Sequence, residues 1–142
     1  MYFDDFKAGD VFELKPVTIK KDRMIAFAEE YDPQMIHMDE EFGKASRYGD
    51  IIAPGIMSFM SVWAEFVKSN IIFDQFISAQ SFSVKWLAPV FADEVLTGKV
   101  IINDVIPRNP YNGIVKVNLV IYNQDGKQVM DTMTEAILKR RK

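Results

Sequence analysis

Asp32 and His37 stand five positions apart, and His37 is the only histidine in the chain. Further on, Gly55 follows Pro54 at the head of a long apolar run. A carboxylate, an imidazole and a glycine at a helix start are the parts of an acid–base site with an amide that can hold a carbonyl. Imidazole is the commonest general acid or base because it exchanges protons near neutral pH. Free N–H groups at a helix start favour developing negative charge, and a missing side chain lets a ligand carbonyl approach them. Each residue also has a plainer reading. A lone histidine in a small domain is commonly a satisfied core or surface residue, an acid before proline often starts a turn, and a glycine after proline is an ordinary helix opener. Their order within the single stretch Tyr31 to Gly55 favours the chemical reading.

Other chemistries find less support. With no cysteine there is no thiol nucleophile and no disulfide framework. One histidine and no cysteine leave only carboxylates as metal ligands, so no metal site is expected. No glycine-rich phosphate loop is present, and no serine lies in a nucleophile-elbow sequence. Met35, Met38, Met57 and Met60 could line an acyl tunnel, methionine being adaptable to flexible apolar ligands, and core packing explains them as well.

The elements that must position these residues belong to an ordinary globular chain. Its 142 residues, 49% hydrophobic and 26% charged, are enough for a real core in one domain, residues 1–142. A net charge of −3 gives no reason to expect nucleic acid or an anionic membrane as partner. The N-terminus carries acids where a signal peptide needs a basic start, and no apolar run approaches the ~18 residues of a membrane span. A cytoplasmic location is the default. The closing Lys139-Arg140-Arg141-Lys142 reads as a short solvated tail.

Val11 to Ile19 reads as a first strand, and Pro16 within it suits an edge or a bulge. Met24, Phe27, Ala28 and Tyr31 share one helical face, and that helix should stop at Tyr31 or Asp32 because Pro33 pushes its predecessor out of the α region. Asp32 then sits at a helix-to-loop corner. Asp39 suits the N-cap of a short helix to about Ala45. The run Ile56 to Ser69 is apolar in nearly every direction, which predicts an enclosed helix that something must wrap. The wrapping follows in Phe82-Val84-Trp86, Val95 to Ile106, Ile114 to Tyr122 and Gln128 to Leu138, with Asn123-Gln124-Asp125-Gly126 as a hairpin turn. Turn chemistry favours consecutive antiparallel pairing in this half. The expected architecture is α+β, with a sheet curled around one long helix.

The chain resembles the MaoC-like acyl dehydratases, the (R)-specific enoyl-CoA hydratase group of the hot-dog fold. The resemblance rests on Asp32-Pro33-Gln34-Met35-Ile36-His37 followed by Asp39-Glu40-Glu41, and on the helix entry Ile51-Ile52-Ala53-Pro54-Gly55. It extends to the opening turn Phe6-Lys7-Ala8-Gly9-Asp10 and to Phe82 through Val95, nearly the whole chain. Two departures stand out. Pro54 precedes the glycine where the family often has histidine or serine, and Trp63 stands where some members place a serine that bonds the aspartate, with Ser58 and Ser61 only nearby.

The resemblance implies reversible hydration of a trans-2-enoyl thioester, or dehydration of the (R)-3-hydroxyacyl form. Asp32 and His37 would be the catalytic pair, holding one water, and the Gly55 amide would bind the thioester carbonyl. It implies no cofactor, the substrate being carried on coenzyme A or acyl carrier protein, and a homodimer or higher homo-oligomer built by pairing sheets edge to edge. Two other readings stay open. A hot-dog thioesterase would cleave the thioester, and Glu65 is the only acid in the long helix to serve it. A non-catalytic acyl-thioester-binding module would bind without turnover.

Overall fold

The computed structural model describes residues 1–142. In chain order its elements are β1 (Val11–Glu13), β2 (Val17–Thr18), α1 (Lys21–Tyr31), α2 (Met35–Met38), α3 (Glu40–Ala45), α4 (Gly55–Lys68), β3 (Phe76–Trp86), β4 (Val95–Pro107), β5 (Asn112–Tyr122) and β6 (Gln128–Lys139). The strands form one antiparallel sheet in the order β1-β4-β5-β6-β3, with β2 adding to β4 beside β1. Pro16 falls between β1 and β2 and divides the first strand as expected of an edge.

The sheet curls over α4, which buries Phe59, Val62, Trp63 and Phe66 against Leu96, Val100, Val117 and Leu119. Fully burying an apolar side chain of this kind contributes about 1.5–3 kcal/mol, so this face holds the domain together. Gly98 marks the closest approach of helix and strand. A Cβ there would lie 2.6 Å from the Val62 Cγ1, so only glycine lets α4 rest on β4.

Three expectations are corrected here. Consecutive pairing holds for β4, β5 and β6, but β3 lies on the far edge beside β6, and β1 takes the place next to β4. The link 87–94 is a long crossing rather than a tight hairpin. Ala53 N–H donates to the Val90 carbonyl at 2.7 Å, and Ile52 bridges Phe91, so this link runs past the entrance of α4. Secondly, α4 is not enclosed all round. Ile56, Met60 and Val67, on one stripe, stay about half exposed because the sheet covers only the opposite face. Thirdly, the basic tail is not simply solvated. Arg141 forms a forked pair with Asp5, Nη2 to Oδ2 at 2.9 Å, its N–H donates to Asp4 Oδ2 at 2.7 Å, and its guanidinium lies 4.9 Å from the centre of the Tyr2 ring. These bonds hold the Asp4 and Asp5 carboxyls below the usual range and pin the two termini together.

Candidate active site

The stretch from Asp32 to Gly55 is shaped by backbone constraints that follow from sequence. α1 ends at Asp32, whose N–H still bonds the Ala28 carbonyl at 2.9 Å before Pro33 forbids a further turn. The chain doubles back at once, with Gln34 N–H donating to the Asp32 carbonyl at 2.7 Å. His37 then lies in the one-turn helix α2, not in a loop, and its ring is buried. Asp39 caps α3 through Oδ1, which accepts from Phe42 N–H at 3.0 Å.

Asp32 and His37 face each other, with Oδ2 3.3 Å from Nε2. The other ring nitrogen, Nδ1, lies 2.8 Å from the Ile52 carbonyl. A carbonyl only accepts, so Nδ1 carries a proton and donates it; when the ring is neutral, Nε2 turns a bare lone pair toward the carboxylate. Two acceptors at that distance repel unless hydrogen is supplied between them. A shared proton does so, and so does one water donating to both. The second carboxylate oxygen accepts from Gln34 Nε2 at 2.7 Å, which fixes the plane of the Asp32 carboxylate. Ile52 anchors the whole arrangement, since its N–H donates to Ile36 and the next residue is bonded to Val90. The imidazole is therefore tied directly to the segment that leads into α4.

At that entry Pro54 occupies the N-cap position and supplies no side-chain cap. The first intrahelical bond is Ser58 N–H to the Pro54 carbonyl at 3.1 Å, so the amides of Gly55, Ile56 and Met57 have no acceptor within the helix. Gly55 and Ile56 line a cleft of about 520 Å³ that also contains Asp32 and His37 and is walled by Trp86, Leu87 and Pro89. The expectation that Gly55 leaves an empty space is modified: the position of a Cβ would lie 2.6 Å from Nε1 and Cε2 of the Trp86 indole. Glycine is required here because Trp86 lies over it.

Other expectations resolve differently. Met57 and Met60 line a separate hollow between α1 and α4, and none of the four methionines lines the cleft. Glu65 also lies in that second hollow. Ser58 Oγ and Ser61 Oγ bond the carbonyls of Pro54 and Met57 and do not reach Asp32. No three acidic or histidine side chains converge in a metal-binding cluster. Sequence reasoning missed Gln34, Trp86, Arg47 and Tyr48, the last three of which line the cleft. Gln34 was accessible, because a side-chain amide two residues past a helix-ending acid can bond it locally.

The MaoC like domain profile matches residues 5–121. The chain belongs to the MaoC-like family. The Bacillus subtilis protein YdeM, itself uncharacterized, is 31% identical to this MaoC-like chain over 141 residues, covering 99% of it and 100% of YdeM. The crystal structure of the MaoC-like dehydratase from Rhodospirillum rubrum superposes with a TM-score of 0.92 at 25% identity, covering 100% of this chain and 99% of the other. The (R)-hydratase PhaJ1 of Pseudomonas aeruginosa superposes with a TM-score of 0.79 at 19% identity, over 99% and 86% of the two chains, a likeness of fold. That fold is the hot-dog, a curled and unclosed antiparallel sheet around a helix. The MaoC-like family is one of hydratases and dehydratases.

Proposed function

We propose that this MaoC-like chain reversibly adds water across the double bond of a trans-2-enoyl thioester, with Asp32 and His37 as the catalytic pair. The observation that carries the reading is the 3.3 Å contact between Asp32 Oδ2 and His37 Nε2 beside the open amides of α4. With Nδ1 donating to Ile52, the neutral ring leaves both facing atoms as acceptors, and one water can donate a hydrogen to each. Its oxygen lone pairs then point away from the pair and toward a bound substrate. The water oxygen bonds to C3 as the π electrons move toward C2, one member of the pair takes the proton that the water releases, and the pair returns that proton to C2, so that the H and the OH of one water are both added. The thioester oxygen gains enolate-like charge meanwhile and accepts from the Gly55 amide at the positive end of α4. Positioned acid–base groups of this kind are worth ~10²–10⁴-fold.

No cofactor enters these steps; the substrate arrives on coenzyme A or acyl carrier protein, and a cytoplasmic setting fits, no helix being long and apolar enough to cross a membrane. A homodimer completes the reading. β3 has an unpaired outer edge and leaves Ile77, Phe82 and Trp86 about half exposed, so a second copy pairing there would cover it. Thioester cleavage is less well supported, because Glu65 opens into the other hollow, away from Gly55. The test is an assay of short trans-2-enoyl thioesters for loss of the conjugated double bond and, in parallel, for free thiol. Loss of the double bond without thiol release is expected. Thiol release alone, or binding with neither reaction, would replace the reading with the thioesterase or the binding module.

A further inference from the structure

Arg47 is the only lysine or arginine lining the cleft that holds Asp32, His37 and Gly55. Arg47 forms no ion pair, so no carboxylate of the chain offsets its charge at the cleft. Its single partner is a neutral phenol. Nη2 donates to Tyr48 Oη at 2.9 Å, and the guanidinium lies 5.0 Å from the centre of the same ring. This bond raises the guanidinium further above its ordinary range, so the charge is permanent. Only one of the five N–H donors is used, and the remainder keep the fork geometry that suits a carboxylate or phosphate.

The support beneath the pair is fixed. Ser46 Oγ donates to the Gly43 carbonyl at 2.6 Å and accepts from Tyr48 N–H at 3.2 Å, and Gly49 N–H returns to the Ser46 carbonyl at 3.1 Å. Gly43 is packed so closely on Ile51 that a Cβ would lie 2.4 Å from its amide nitrogen. The loop carrying Arg47 is thus packed against the segment entering α4. Asp32, the only carboxylate in the same cleft, is already engaged by Gln34 and His37 and does not neutralise the arginine.

We propose that Arg47, held by Tyr48, binds an anionic oxygen group of the thioester and selects for charged substrates. The proposal rests on the hydratase reading and deepens it. The anion is either a phosphate of the carrier or a carboxylate on the acyl chain, and the two are separable. Three thioesters serve: a short neutral enoyl group on uncharged N-acetylcysteamine, the same group on coenzyme A, and an enoyl group with a terminal carboxylate on N-acetylcysteamine. The readout is kcat/KM for each charged thioester divided by that for the neutral one, in wild type, Arg47→Gln and Arg47→Lys.

Replacement by glutamine should lower one ratio about tenfold or more, as expected for a lost charge-assisted pair, and lysine should restore part of it. A fall for coenzyme A alone identifies the carrier phosphate, and a fall for the carboxylated acyl chain alone identifies the substrate carboxylate. Ratios unchanged in Arg47→Gln would overturn the proposal while leaving hydration intact. Failure of wild type to hydrate any of the three would sink the hydratase reading instead. Equilibrium binding of the saturated analogues to wild type and Arg47→Gln would then still decide the anion site, equal charged-to-neutral affinity ratios counting against it.

Discussion

Two hollows flank α4, and the larger is not the one equipped for chemistry. The hollow between α1 and α4 measures about 670 Å³, against about 520 Å³ for the cleft at the N-terminus of the helix. The larger one holds Lys20, Arg23, Glu30, Glu65 and Lys68 along the sides of two helices, where long charged chains reach solvent. Nothing in it holds a titratable group against the backbone. In the smaller cleft His37 is buried and fixed to the Ile52 carbonyl, Asp32 is clamped by Gln34, and the helix amides of Gly55 and Ile56 are left without acceptors. Volume gives room for a ligand. Reactivity needs groups whose geometry is imposed on them, and only the smaller cleft has these.

That contrast can be broken at several points. The largest effect belongs to the facing pair. Asp32→Asn and His37→Gln, while folded by circular dichroism, should each lower hydration of a short enoyl thioester by about 10²–10⁴-fold. Near-wild-type rates in either would erase the difference between the hollows. Gly55→Ala should come next, because its methyl group would lie 2.6 Å from the Trp86 indole and drive the ring aside. A loss of about tenfold in hydration is expected, with about 1–3 kcal/mol of stability by urea unfolding, as for other overpacked sites. Adding Trp86→Leu should return most of the stability; no recovery would mean the glycine is needed for another reason.

A smaller change is expected at Gln34. Leucine there leaves Asp32 Oδ1 without its donor and should lower kcat about tenfold with KM little altered, the amount that loss of one hydrogen bond to a charged group implies. An unchanged kcat would show that the carboxylate needs no clamp. The smallest effects belong to the other hollow. Glu65→Gln and Met60→Ser should leave hydration within about twofold and stability within about 0.5 kcal/mol, as is usual for surface changes. A large loss of activity in Glu65→Gln would move the chemistry to the larger hollow.

What the sequence made legible is what local backbone rules dictate. Pro33 ends α1 at Tyr31 with Asp32 as its C-cap, Asp39 caps α3, and the Asn123–Gly126 turn joins β5 to β6. The spacing of Asp32 and His37 likewise corresponds to a real contact, because one tight turn and one helical turn separate them. Features that depend on distant packing were not legible. The place of β3 beside β6 is decided by the link 87–94 passing the head of α4, and no local turn signal records that. Trp86 reads as one more apolar residue of an alternating strand until the fold lays it over Gly55. The apolar stripe of Ile56, Met60 and Val67 misled the reading of α4, since hydrophobicity alone does not say which faces the sheet reaches.

The account stands or falls on Asp32 and His37 working through one shared water. Hydration rates of Asp32→Asn, His37→Gln and the double variant, on one enoyl thioester, address that directly. If the two side chains act as a unit, the double variant should be no slower than the slower single one, because either loss already abolishes the shared site. Losses that multiply would show two independent contributions and contradict the shared water, and rates close to wild type would remove the pair from the chemistry altogether.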